Sequence, residues 1–269
     1  MLMSRILLIG FGNMGQALVK GWLARGVTAK NIAVVEPQST AQAAARALGA
    51  TVIASEAMAA HRADVIVIAV KPAQVADSVA PLGKVPRGCV VLSIAAGKTT
   101  AGLRRLLGSQ AAVVRAMPNT PAAIGEGITA LFASESVTAA ERRTCEELMA
   151  AVGRVEWFAD ETLMDAVTAV SGSGPAYVFL LIECLAEAGR KVGLAADVAA
   201  RLATATVAGA GLYARETELP AVELRRRVTS PKGTTQAALD VLLAGDAFAE
   251  LMSRAVRAAT ERSRELSAD

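Results

Sequence analysis

Arg5-Ile-Leu-Leu-Ile-Gly-Phe-Gly-Asn-Met-Gly15 sets a short aliphatic run directly before three glycines spaced Gly10-x-Gly12-x-x-Gly15. From Gln16 to Arg25 the apolar residues fall at helical steps, with a stop at Gly26, so the stretch reads as strand, glycine turn and helix. In that order each glycine has a physical task. Gly10 permits the tight turn, Gly12 lets backbone N–H groups approach a pyrophosphate, and Gly15 lets the helix pack closely on the strand. A bare glycine triplet would be an ordinary turn of an α/β protein. Between a strand and a helix, Gly10, Phe11, Gly12, Asn13, Met14 and Gly15 form a dinucleotide-binding loop.

Further aliphatic runs cover residues 32–35, 65–70, 90–94 and 112–116, separated by helical or loop-like stretches such as 40–48 and 100–107. Near-continuous apolar strands alternating with helices predict a parallel sheet covered on both faces. Residues 154–158 could add an edge strand. Beyond them the β signals end, and 160–170, 175–192, 196–213 and 234–243 carry Ala and Leu at helical spacing, broken at Ser171-Gly-Ser-Gly-Pro175, Gly193 and Gly245. The expected fold class is therefore α/β. A Rossmann domain with a doubly wound parallel sheet over residues 1–159 is followed by an all-α domain over 160–269.

The bulk numbers narrow the ligand. Of 269 residues 53% are hydrophobic and 20% charged, with much of the excess in alanine, which suits helices that bury more than one face, as when subunits pack together. The 28 basic and 25 acidic residues are spread along the chain, so no basic stripe points to nucleic acid, and the expected partner is a small molecule. Cys89, Cys145 and Cys184 are far apart and form no CxxC pair, which indicates neither a disulfide framework nor a metal site and favours a reducing cytoplasm. With the first strand this close to Met1 no leader peptide is expected. The longest purely apolar runs fall far short of the ~20 residues a spanning helix needs, so no membrane is expected either. The single histidine, His61, reads as a surface residue, which leaves a histidine-centred mechanism without support.

Glu36 closes the second strand, where a carboxylate can accept hydrogen bonds from an adenosine ribose diol and repel a 2′-phosphate. This favours NADH over NADPH, although Gln38, Ser39 and Thr40 offer neutral donors to a phosphate if Glu36 turns away. Ala69-Val-Lys-Pro72 follows a strand at the carboxyl edge of the sheet, where Pro72 turns the chain outward. Cofactor contact, partly through backbone, therefore suits Ala69, Val70, Lys71 and Pro72 better than a catalytic lysine. Ala95 and Ala96, after the next strand, leave space beside a nicotinamide.

Two stretches of the second half exceed what periodicity requires: Ser171-Gly-Ser-Gly-Pro-Ala-Tyr177 and Val228-Thr-Ser-Pro-Lys-Gly-Thr-Thr-Gln-Ala-Ala-Leu-Asp240. With the glycine loop, Ala69-Val-Lys-Pro72 and Met117-Pro-Asn-Thr-Pro121, they resemble the motif set of the pyrroline-5-carboxylate reductases, in order and along essentially the whole chain. The resemblance implies NADPH- or NADH-dependent reduction of 1-pyrroline-5-carboxylate to L-proline, the last step of proline biosynthesis. It also implies a helical domain that interlocks with a partner's, giving dimers that often assemble into decamers. By the same resemblance Thr234 and Thr235 contact substrate, with Thr235 near the ring nitrogen as the catalytic candidate. Glu161 and Glu218 lie by the pocket, and Ser171, Gly172, Ser173 and Gly174 shape it. Independently, Ser, Thr and Gly ahead of a helix present amides and hydroxyls at a positive helix start, so residues 233–235, Gly233 among them, suit a carboxylate.

Three positions depart from the family pattern. Glu56 stands where asparagine is common near the adenosine, and again disfavours a 2′-phosphate. Lys232 replaces a frequent glycine in the Ser-Pro-x-Gly turn, and Arg227 a small polar residue near the cofactor. The chemistry implied is hydride transfer to the carbon of a ring C=N. A protonated imine is already electrophilic, so positioning and exclusion of water matter more than a strong base. Two other readings remain at this point. A β-hydroxyacid dehydrogenase would need a base, usually a lysine on the first long helix of the second domain, yet residues 177–189 contain none. A nucleotide-binding sensor without turnover would leave the Ser-Pro-x-Gly-Thr-Thr stretch without a task.

Overall fold

The structure, a computed structural model, describes residues Ser4 to Ala268. Eight strands, β1 (Ile6–Ile9), β2 (Ile32–Val35), β3 (Thr51–Val52), β4 (Val65–Ile68), β5 (Val90–Ser93), β6 (Ala112–Met117), β7 (Gly127–Ala133) and β8 (Gly153–Phe158), form one sheet in the order β3-β2-β1-β4-β5-β6-β7-β8. The first six are parallel, β7 runs antiparallel to β6, and β8 is parallel to β7. Successive residues of β1 enter opposite cores. Ile6 and Leu8 join Trp22, Leu18 and Leu148 on one face, while Leu7 and Ile9 join Val75, Leu103 and Val113 on the other. Strands buried on both faces have no polar side to expose, which is why they read as unbroken aliphatic runs.

The covering helices are α1 (Asn13–Ala24), α2 (Ser39–Ala47), α3 (Val75–Val79), α4 (Thr100–Leu107) and α5 (Ala139–Ala150). Trp22 of α1 donates its Nε1 proton to the Leu148 carbonyl of α5 at 2.9 Å, so the largest core side chain is also satisfied as a donor. Then follow α6 (Met164–Val167), α7 (Gly174–Lys191), α8 (Ala196–Thr217), α9 (Ala221–Arg227), α10 (Thr234–Leu242) and α11 (Ala247–Ala268).

Four features depart from the sequence reading. Gly127–Ala133 is a full strand, hidden in the sequence by its glycine start and by Thr129, which interrupts its apolar run. The Ser171–Pro175 stretch is no loop: a π-turn at Thr168–Gly172 carries the chain from α6 into α7 without leaving helical geometry. Pro175 is tolerated there because it sits in the first turn of α7. The first compact unit runs beyond residue 159 to Gly172 and regains the chain from Ala259 onward, and the second spans Ser173–Ala258. Finally, Glu161–Lys191 is long and apolar enough to cross a membrane by length and composition, although Asp165, Thr168, the Ser171–Pro175 stretch and Glu183 break up its purely apolar runs.

A buried cation explains why 161–172 belongs with the sheet. Arg115 of β6 is 4% exposed and faces Glu161 Oε1 at 3.5 Å and Asp165 Oδ1 at 3.6 Å. Glu161 also accepts from the Thr100 amide and hydroxyl, both at 2.8 Å, at the start of α4. Asp165 accepts from the Ser263 hydroxyl at 2.7 Å, which ties in the last turns of α11. The second unit differs. Its only fully buried hydrophobic side chains are Ala199 and Ala203, while Phe179, Leu180, Leu202, Leu212, Val241 and Leu251 remain about half exposed or more.

Arg115→Met leaves two carboxylates without their cation, and should lower the unfolding free energy by about 3 kcal/mol. Urea titration at one fixed protein concentration should show an earlier midpoint with an unchanged slope; an unmoved midpoint would contradict the role given to Arg115.

Candidate active site

The parallel strands end on a common rim, and the residues assigned to the cofactor gather there. Gly10 adopts φ +95°, and a Cβ on it would lie 2.7 Å from the Ala69 carbonyl oxygen. A Cβ on Gly15 would lie 2.6 Å from the Gly10 carbonyl oxygen, so strand and helix touch through backbone alone. Gly12 is the opposite case: exposed, with nothing within 4 Å of an added Cβ. It is the N-cap of α1, no side chain caps the helix, and the first turn holds no acidic residue. The amides of Asn13 and Met14 therefore face open space at a positive helix end, a cradle that fits a pyrophosphate.

Glu36 is half-buried behind this loop. Its carboxylate accepts from the Phe11 amide at 2.7 Å and the Gln38 amide at 2.9 Å, and Gln42 Nε2 donates to the Glu36 carbonyl at 2.7 Å. Two backbone donors fix the carboxylate and leave acceptor capacity for sugar hydroxyls. A cleft of about 430 Å³ opens beside it, lined among others by Gly10, Glu36, Gln42, Glu56, Val70 and Asp77. Its charged lining residues, Glu36, Glu56 and Asp77, are all acidic. Asp77 and Gln42 carried no sequence signal, since each sits on a helix whose pattern says only that it is solvated. Lys71 is exposed at the turn after β4, Pro72 begins the next 3-10 turn, and Ala95 and Ala96 follow β5. His61 is partly exposed after another 3-10 turn.

The residues assigned to substrate fall in two places. In the first unit, Glu161 is engaged with Thr100 and Arg115 as described, and Ser171 and Gly172 lie in the π-turn. Beside that turn, Ile128, Phe158, Leu163, Val167 and Val170 line an apolar hollow of about 340 Å³. Ser173 and Gly174, the N-cap and first residue of α7, open the second unit. Within that unit, Gly233 is the N-cap of α10, followed by Thr234 and Thr235. No side chain caps this helix and its first turn has no acid, so its first amides await an acceptor. Lys232 sits at φ +61°, the left-handed conformation that explains why glycine is familiar there. Glu218 is exposed and caps α8 at φ +54°, and Arg227 pairs with Glu223 at 3.1 Å. Among the described residues Cys89 and Cys145 are buried, and burial pushes the Cys89 thiol up to about 12, which makes it inert.

Comparison with known proteins covers both halves. Residues 161–266 match the family model "Pyrroline-5-carboxylate reductase dimerisation", and residues 5–97 match "NADP oxidoreductase coenzyme F420-dependent". The chain is 44% identical to the pyrroline-5-carboxylate reductase of Pseudomonas aeruginosa over 97% of this chain and 96% of that one. The solved pyrroline-5-carboxylate reductase of Coxiella burnetii is 39% identical, with a TM-score of 0.92 over 98% of each chain. That of Plasmodium falciparum, solved with NADP bound, is 28% identical with a TM-score of 0.84 over 98% of each. The dimerisation match accounts for the apolar helices that the second unit leaves uncovered, and it makes the protein a homo-oligomer. Identity at this level across the sheet, the cofactor loop and the helical half makes the chain a member of the pyrroline-5-carboxylate reductase family of oxidoreductases.

Proposed function

We propose that the chain reduces 1-pyrroline-5-carboxylate to L-proline with a reduced nicotinamide dinucleotide, NADH in preference to NADPH, as a cytoplasmic homo-oligomer. The observation that carries the substrate reading is the uncapped start of α10 at Gly233-Thr234-Thr235, in a chain similar to reductases of that name. The Gly233 amide is spent on the Ser230 carbonyl at 3.0 Å, so of residues 233–235 the amides of Thr234 and Thr235 would hold the substrate carboxylate at a positive helix end. Thr234 would share that contact, and the Thr235 hydroxyl would orient the ring nitrogen. Ser171 to Gly174 would give the ring its room, with Glu161 and Glu218 at the margins of the pocket. α7 holds no lysine before its last residue, Lys191, which argues against a hydroxyacid dehydrogenase that needs a lysine base there.

On the cofactor side, the amides of Asn13 and Met14 would take the pyrophosphate, with Gly10, Phe11, Gly12 and Gly15 shaping the loop. Glu36 would accept the adenosine ribose hydroxyls. Ala69, Val70, Lys71 and Pro72 would flank the dinucleotide, and Ala95 and Ala96 would leave space at its reacting ring. Bound there, the reduced nicotinamide supplies a hydride to the ring carbon of the C=N bond. The protonated imine needs no further activation, so this chain's residues contribute alignment and a dry site.

The preference for NADH rests on charge. Glu36, Glu56 and Asp77 line the adenosine cleft, and a 2′-phosphate there would meet like charges. The competing arrangement puts that phosphate at the uncapped start of α2, beside Ser39 and Thr40. Dimers would form through the apolar faces of α7 and α8, with decamers a further step. The same contact would cover the apolar Glu161–Lys191 stretch, without a membrane, and no nucleic acid is part of the proposal.

Initial rates with pyrroline-5-carboxylate should give kcat/KM for NADH about tenfold or more above that for NADPH, the scale expected of one close like-charge contact at the protein surface. NADPH ahead would keep the enzyme and move the phosphate to α2; no oxidation of either cofactor would leave a sensor. Thr235→Ala should lower kcat at least about tenfold while NADH affinity changes less than about twofold, and equal losses would remove Thr235 from the chemistry. Gly12→Ala should melt as the wild type does, yet bind NADH about tenfold more weakly in a fluorescence titration, because its methyl group enters only the phosphate cradle. Unchanged affinity would displace the pyrophosphate from this loop.

A further inference from the structure

Met117-Pro-Asn-Thr-Pro121 carries the chain out of β6, and its asparagine makes two hydrogen bonds to residues beyond the segment. Asn119 Oδ1 accepts from the Ile128 amide at 2.9 Å, and Asn119 Nδ2 donates to the Ser171 carbonyl at 3.2 Å. The Ile128 N–H can only donate, so it fixes the side-chain amide with Nδ2 toward Ser171. In a regular helix the carbonyl of residue 171 takes the N–H of residue 175. Residue 175 is proline and has none, and the next N–H, that of Ala176, goes to the Ser173 carbonyl at 3.0 Å. The Asn119 amide thus stands in for a donor that Pro175 cannot supply.

We infer that Asn119 is a positioning residue for the substrate: by holding the Ser171 carbonyl it fixes the π-turn Thr168–Gly172 at the pocket. Without this donor, the half-buried carbonyl has no partner, since α-helical winding would offer it only Pro175, and the turn has reason to shift until the carbonyl meets water, which moves Ser171 and Gly172 from their present facing. The inference rests on the substrate reading proposed above, in which Ser171 and Gly172 shape the pocket. It joins two motifs of the sequence, Met-Pro-Asn-Thr-Pro and Ser-Gly-Ser-Gly-Pro, through one hydrogen bond.

Steady-state kinetics on the full chain, with pyrroline-5-carboxylate and NADH varied separately, tests it. Asn119→Ala should raise KM for the imino acid about tenfold while KM for NADH shifts less than about twofold, as expected of one lost hydrogen bond that displaces only the substrate. Adding Pro175→Ala restores a backbone N–H to the Ser171 carbonyl and should recover most of that loss, a non-additivity that general destabilisation would not give. Should Asn119→Ala fail to fold, Asn119→Asp keeps the acceptor for Ile128 and sets a carboxylate oxygen against the Ser171 carbonyl in place of the donor, and a raised KM is again expected. Wild-type turnover with an unchanged imino-acid KM in either single variant, or purely additive losses in the double variant, overturns this inference alone. No turnover by the wild-type chain overturns the substrate reading and this inference with it.

Discussion

Between β1, β4 and the first turn of α1 there is no room for a methyl group. An added Cβ at Gly10 meets the Ala69 carbonyl oxygen at 2.7 Å, and one at Gly15 meets the Gly10 carbonyl oxygen at 2.6 Å. Much of the cofactor half depends on this close approach. It sets the uncapped amides of α1 beside the ends of β1 and β4, and the Ala69 amide bonds back to the Ile9 carbonyl at 2.8 Å. Glu36 extends the arrangement to β2 by holding the Phe11 amide. Loop, carboxylate and the Ala69–Pro72 turn are then parts of one rim, and a ligand meets a site formed in advance.

The helical half is governed by what it lacks. Ala199 and Ala203 are its only fully buried hydrophobic residues, too little apolar surface to fold around, and its larger aliphatic side chains lie open. A helix pair of this composition becomes stable when another copy covers it, and the family match over 161–266 names that role. The same shortage explains the high hydrophobic fraction of the chain, because alanine-rich helices with apolar residues on several sides suit an interface.

The sheet was legible because burial on both faces leaves an uninterrupted aliphatic record, and Ile32–Val35 and Thr100–Leu107 have the bounds their patterns suggest. Gly127–Ala133 was not legible as a continuous run, since Thr129 separates Ile128 from Ala130 to Ala133. The Ser171–Pro175 stretch misleads for a different reason. Glycine and proline ordinarily stop a helix, but a π-turn absorbs them when an outside donor completes the ladder. That donor, Asn119, lies 52 residues away in the chain. The family match begins at residue 161, whereas the compact units divide after Gly172, because Arg115, Asp165 and Ser263, which hold 161–172 to the sheet, meet only in the folded chain. The glycine loop and Glu36 were readable as a candidate site because dinucleotide binding would constrain backbone at fixed local spacing. Gln42 and Asp77 support or line that site from ordinary helical positions.

Hydride delivery to the imine carbon is the central claim, and isotope transfer tests it most directly. The chain would be incubated with NADH carrying two deuterium atoms at C4 of the nicotinamide and with pyrroline-5-carboxylate, and the product read by mass spectrometry and NMR. Proline bearing a single deuterium at the former imine carbon is the predicted result. Absence of proline, or proline formed without the label, would contradict the account.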